Sequence, residues 1–172
     1  MERRGLTILY TGNGKGKTTA AMGQVMRAVG QGFKVCVIQF IKGDRTTGEA
    51  KTCATLARVE FHVMGSGFTW REAPEETKRA AEAGWALAEE KILGGGFDLV
   101  VLDELTYLIT YQLVDESRIL SLIRNRPSHV HLVISGRGAS PALVEAADLV
   151  TEMQEVKHPY ADGVKAQVGI EF

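Results

Sequence analysis

One stretch constrains this chain more than any other: Thr11-Gly12-Asn13-Gly14-Lys15-Gly16-Lys17-Thr18-Thr19. It follows an apolar run, Leu6 to Tyr10, and leads into a segment with helical spacing. A buried strand, a glycine-rich turn closing on Gly-Lys-Thr, and then a helix is the layout of a phosphate-binding loop. Glycines let successive backbone N–H groups converge on one concavity. The first turn of the following helix adds unpaired N–H groups and the positive end of its dipole. In that layout the residues from Gly12 to Thr19 cradle phosphate, Lys17 reaches the β- and γ-phosphates, and the Thr18 hydroxyl meets a bound Mg²⁺. The usual first glycine is Thr11 here, with Gly12 one step later, so a slightly tighter loop is expected. Gly12, Gly14 and Gly16 also fit a dinucleotide-binding turn. That reading needs an acidic residue about 20 residues on, at the end of the second strand, whereas this strand ends near Gln39.

The rest of the chain alternates apolar strands with helical patterns. The spacing predicts a helix over 17–29, a strand over 34–40, a polar loop over 41–49 and a strand over 59–64. A long amphipathic helix is expected over 74–92, short helices over 107–112 and 116–124, and a core strand over 131–135. Ser140-Pro141 has the form of a helix start. A strand over 148–153 and a terminal hairpin or strand in the tail to Phe172 complete the expectation. The alternation implies one three-layer α/β domain, 1–172, around a mostly parallel sheet. At 172 residues, 45% hydrophobic and 24% charged, the chain has the length and balance for one such core. Its net charge of −1 offers no basic field for nucleic acid. No apolar run approaches the roughly 20 residues of a membrane helix, and the Met-Glu-Arg-Arg start has no signal-peptide core. A cytoplasmic protein is expected.

The second strong signal is Phe97-Asp98-Leu99-Val100-Val101-Leu102-Asp103-Glu104, an apolar strand ending in two carboxylates. Beside a phosphate loop, carboxylates in that position hold Mg²⁺ directly or through water; the plainer alternative is a surface pair capping the next helix. Gly136-Arg137-Gly138 follows a core strand at its carboxyl end, where α/β sheets place ligands. Arg137 there meets either a phosphate or a nearby acid. Arg27 lies about 15 Å along the helix from Lys17, too far for the same phosphate; it meets another part of a nucleotide, or solvent. Phe68 and Trp70 either anchor a glycine-bearing loop or face a ligand. Cys36 and Cys53 make neither a disulfide framework nor a metal spacing, and Cys36 reads as a buried thiol. No histidine has metal-ligand spacing to another His or Cys, and no Ser-His-Asp or Cys-His arrangement can be assembled.

Several motifs recur together in one order. After the loop come Gln39-Phe40-Ile41-Lys42-Gly43, Gly48-Glu49, Gly67-Phe68-Thr69-Trp70 and Asp103-Glu104-Leu105-Thr106-Tyr107. Gly136-Arg137-Gly138, Val156-Lys157-His158, Gly163-Val164-Lys165-Ala166-Gln167 and Gly169-Ile170-Glu171 follow. In this order the chain closely resembles the ATP:corrinoid adenosyltransferases of the CobA/CobO type, from about residue 5 to the C-terminus. Thr11 is then a trait of that family.

The resemblance implies a RecA-like P-loop fold, a homodimer, and transfer of the 5′-deoxyadenosyl group of ATP to the Co(I) ion of a corrinoid, with release of triphosphate. The corrinoid is cobalamin, cobinamide or a cobyrinic acid derivative, in synthesis or salvage of adenosylcobalamin. ATP would lie in a reversed direction along the loop. Lys17 and the loop amides would hold phosphate. Thr18 and Glu104 would ligate Mg²⁺ (Mn²⁺ is the alternative), with Asp103 behind them. Phe68 and Trp70 match aromatics that occupy the lower face of the corrin and displace its axial ligand. An electron donor such as a flavodoxin-like reductant is implied as a partner. Some members carry an N-terminal segment that covers the partner's active site; only Met1 to Gly5 precede the first strand here, so that cover is not expected.

Overall fold

A computed structural model describes residues 4–41, 47–65 and 74–171. Six strands form one sheet: β1 (Thr7–Thr11), β2 (Val35–Gln39), β3 (Val59–Val63), β4 (Leu99–Asp103), β5 (His131–Ser135) and β6 (Leu149–Glu152). Their order is β3-β2-β4-β5-β1-β6, and every pairing among them is parallel. The helices are α1 (Lys17–Gly30), α2 (Gly48–Cys53), α3 (Pro74–Leu93), α4 (Thr106–Thr110), α5 (Glu116–Asn125) and α6 (Pro141–Ala146).

Parallel strands need crossover helices, and those helices cover both faces. The central strands are therefore apolar at every interior position rather than at alternate ones, as in Val35-Cys36-Val37-Ile38 and Leu99-Val100-Val101-Leu102. Alternation sorts them between two cores. Ile8, Val35, Val37, Leu99, Val101 and Val133 meet Ala21, Met22, Val25 and Ala28 of α1. Cys36, Ile38, Val100, Leu102, Leu132 and Ile134 meet the opposite layer, where Ala81, Trp85, Ala88 and Ile92 form the buried stripe of α3. Those four recur at spacings of four, three and four residues, one face of a helix. Trp85 is fully buried, and truncating such a side chain to Ala costs on the order of 3–5 kcal/mol.

Two expectations are corrected. Residues 41–49 were expected to be loop, but Gly48 begins α2, capped by the Thr47 side chain, which accepts from Ala50 N. A six-residue helix is too short to leave a periodic signal. The tail carries no strand among its described residues. It makes one 3-10 turn, Pro159–Asp162, with His158 as its cap and Gly163 at φ 78° closing it. No helix among the described residues is long and apolar enough to cross a membrane.

Candidate functional site

The carboxyl ends of four strands carry buried polar residues. Thr11, Gln39, Asp103 and Ser135 end β1, β2, β4 and β5, and all four are buried. Buried polar groups need partners, and here Asp103 is the hub. Its carboxylate accepts from Thr18 Oγ1 (3.1 Å), Gln39 Nε2 (2.9 Å) and Ser135 Oγ (2.5 Å). Ser135 Oγ also accepts from Glu104 N at 3.0 Å, and Glu104 turns out of the strand at φ 64°. The first helical turn of α1 is thereby tied to three strand ends.

Gly12 to Gly16 make the loop between β1 and α1. Lys17 Nζ folds back and donates to Gly12 O (2.8 Å) and Gly14 O (2.5 Å). Burial, and then the Arg137 charge, lower the Lys17 pKa, while Glu104, Asp103 and Glu155 act in the opposite sense. An anion beside Lys17 and Arg137 would relieve that repulsion. Arg137 has no salt-bridge partner among the described residues, so the ion-pair alternative for it is not realised. It projects from the turn after β5, where Gly136 (φ 146°) sits so close to α4 that a Cβ would lie 2.0 Å from Thr106 Oγ1.

Thr11, in the place of the usual first glycine, is the last residue of β1. Its Oγ1 accepts from Ala139 N (3.3 Å), and its carbonyl accepts from Met153 N (2.8 Å). The chain leaving β6 therefore crosses the loop. Gly14 N donates to Met153 O at 2.7 Å. A Cβ on Gly14 would lie 2.6 Å from Gln154 O, and one on Gly12 2.4 Å from Met153 O. These glycines make room for the tail. Farther on, Glu171 pairs with Lys15 at 3.4 Å.

Loop, strand ends and tail enclose a cleft of about 640 Å³, within the usual range of roughly 300–1,000 Å³ for small-molecule sites. Gly14 to Thr19, Glu104 and Arg137 line it. Gly12, Asn13 and Arg27 do not; Arg27 and Asn13 are exposed. Phe68 and Trp70 lie outside the described residues. Sequence reasoning missed Gln39 and Ser135 as supports of Asp103, though each is a polar residue closing an apolar strand. It also missed Tyr107 and His158 in the wall of the cleft. The Thr18 hydroxyl and the carboxylates of Asp103 and Glu104 form an all-oxygen donor set, the kind that hard divalent cations take.

A second cluster escaped the spacing argument. Cys36, Glu60 and His62, brought together by β2 and β3, place ligand atoms within 4.8 Å of one another. Lys91 Nζ already stands 2.9 Å from Glu60, supplying the cation there and holding its carboxyl below the usual range. Burial pushes the Cys36 thiol up to about 12, as an inert buried thiol requires.

Residues 3–172 match the family described as ATP:corrinoid adenosyltransferase BtuR/CobO/CobP. A corrinoid adenosyltransferase of Pseudomonas aeruginosa is 45% identical, over 99% of this chain and 85% of that protein. The corrinoid adenosyltransferase CobA of Salmonella typhimurium is 44% identical, and a corrinoid adenosyltransferase of Escherichia coli 43%, each over 99% of this chain and 87% of its own length.

Proposed function

Because the chain belongs to the ATP:corrinoid adenosyltransferase family, we propose that it transfers the 5′-deoxyadenosyl group of ATP to the Co(I) ion of a corrinoid and releases triphosphate. The observation that carries this reading is the meeting of the loop, Lys17, Arg137 and Glu104 around one cleft. The electron pair of Co(I) forms the bond to C5′, and the C5′–O bond breaks with its pair leaving on the triphosphate. Co(I) is the nucleophile and no proton is removed, so neither an activated side chain nor a general base is needed. What the protein must supply is aim and stabilisation of the leaving group. The loop amides, Lys17 and Arg137 bind and orient the triphosphate. Thr18 and Glu104, with Asp103 behind them, would hold Mg²⁺ (or Mn²⁺), which neutralises triphosphate charge when bound.

Phe68 and Trp70 are assigned to the lower face of the corrin, where loss of the axial ligand eases reduction to Co(I). Trp70→Ala is expected to slow reaction from Co(II) by more than reaction from chemically reduced Co(I); equal losses would count against that role. Homodimerisation, a cytoplasmic setting and a flavodoxin-like electron donor belong to the same reading. It is tested anaerobically with ATP, Mg²⁺ and chemically reduced cob(I)alamin, following the visible spectrum and the phosphate products. A light-sensitive adenosylcobalamin spectrum with triphosphate is expected. ADP or phosphate with an unchanged corrinoid spectrum would replace the reading with an ordinary P-loop ATPase.

A further inference from the structure

The tail motif Val156-Lys157-His158 has no part in the reaction as described so far. We infer that His158 is a hydrogen-bond donor to the triphosphate portion of ATP, acting through its Nε2–H; this rests on the adenosyl-transfer reading.

His158 lines the same cleft as Gly14 to Thr18, Glu104 and Arg137. The chain holds it from both sides. Five residues before it, Met153 is clamped over the loop by Met153 N to Thr11 O (2.8 Å) and Gly14 N to Met153 O (2.7 Å). After it, Ala161 N donates to His158 O (3.1 Å), Gly163 N to Tyr160 O (3.0 Å) and Val164 N to Pro159 O (3.1 Å), closing the 3-10 turn. The ring itself is set by Tyr160 N, which donates to Nδ1 at 3.2 Å. A neutral imidazole whose Nδ1 accepts carries its proton on Nε2. No described acceptor takes that proton. With Nδ1 engaged by the turn, the Nε2 donor belongs to a ring that lines a cleft whose cations, Lys17 and Arg137, already call for an anion. As C5′–O breaks, negative charge grows on the triphosphate, and a donor placed there in advance stabilises it without reorganisation.

The competing role for His158 is purely structural: Nδ1 caps the turn, and nothing more. Two substitutions separate the roles, because Asn reproduces the position of Nδ1 and is a good cap, whereas Gln carries its amide N–H toward the position of Nε2. Wild type, His158→Asn and His158→Gln are compared by calorimetric titration with inorganic tripolyphosphate, by thermal melting, and by kcat with ATP and cob(I)alamin. We expect His158→Asn to keep its melting temperature yet bind tripolyphosphate, and turn over, at least ~10-fold less well, a modest loss for one preorganised donor. His158→Gln is expected to melt earlier but stay within ~3-fold of wild type in binding. Any other ranking in binding, including equal losses in both variants or none in either, overturns the inference. The adenosyl-transfer reading is judged separately, on whether wild type forms the cobalt–carbon product.

Discussion

The two sides of the cleft are built by opposite means. The floor rests on strand ends, where Gln39, Asp103 and Ser135 are buried and joined, with Thr18, through one carboxylate. The roof is the tail beyond Glu152, which is largely exposed and whose described residues add no strand. The floor is fixed by side chains that lose partners if altered. The roof is fixed by backbone hydrogen bonds and by glycines that leave room for it. Mutational cost should therefore track chemistry on the floor and shape at the roof.

The largest expected effect lies on the floor. Lys17→Ala removes the one ammonium that the loop wraps, and ATP-dependent transfer should fall by ~10³-fold or more; near-normal turnover in the anaerobic assay would refute its phosphate role. Asp103→Asn comes next. It sets an amide donor against Gln39 Nε2, leaving buried groups unpaired at about 1–3 kcal/mol each. A chain of this size loses about 2–4 °C of melting temperature per kcal/mol, so a drop of several degrees should accompany a ~100-fold loss of activity. Wild-type melting would show that the carboxylate is no hub.

At the roof, Gly14→Ala sharpens the contrast. The new Cβ meets Gln154 O, and overpacking of this kind costs typically 1–3 kcal/mol. Faster proteolysis after Met153 should accompany a loss of activity near ~10-fold. An unaltered cleavage pattern would mean that the tail does not rest on the loop. The smallest effect is Lys15→Gln at the half-exposed pair with Glu171. Such pairs contribute about 0–1 kcal/mol, so melting should shift by ~4 °C or less; a larger shift would make the pair a latch rather than a surface contact.

This division also decides what was legible beforehand. Core strands announce themselves because burial on both faces demands unbroken apolar runs; His131–Ser135 has the same limits in sequence and structure. The positions of the loop and of Asp103-Glu104 at strand ends were legible because each directly follows an unbroken apolar run. Gln39 and Ser135 were not, because their role depends on which strands become neighbours, and β2 and β5 both flank β4 only in three dimensions. A hairpin or strand was expected in the tail, yet its Val164, Val168 and Ile170 are exposed. The tail's path is set by contact with a loop far away in sequence, which leaves no local period to read. The family resemblance flagged the tail motifs without saying what they touch.

The strand order has a consequence for how the chain acquires its shape. β1 lies between β5 and β6 and pairs with no other strand: Thr7 meets Leu132, and Ile8 meets Leu149. Chains emerge from synthesis amino end first, so the glycine-rich segment is among the earliest parts made and waits for nearly the latest before it has a sheet to belong to. Contacts so distant in sequence form slowly, because loop closure must precede any gain from pairing. A partly made or truncated chain would carry the glycine-rich segment without the scaffold that shapes it. The shape of that loop should thus arrive in one late step of folding, after β5 and β6 have closed around the first strand.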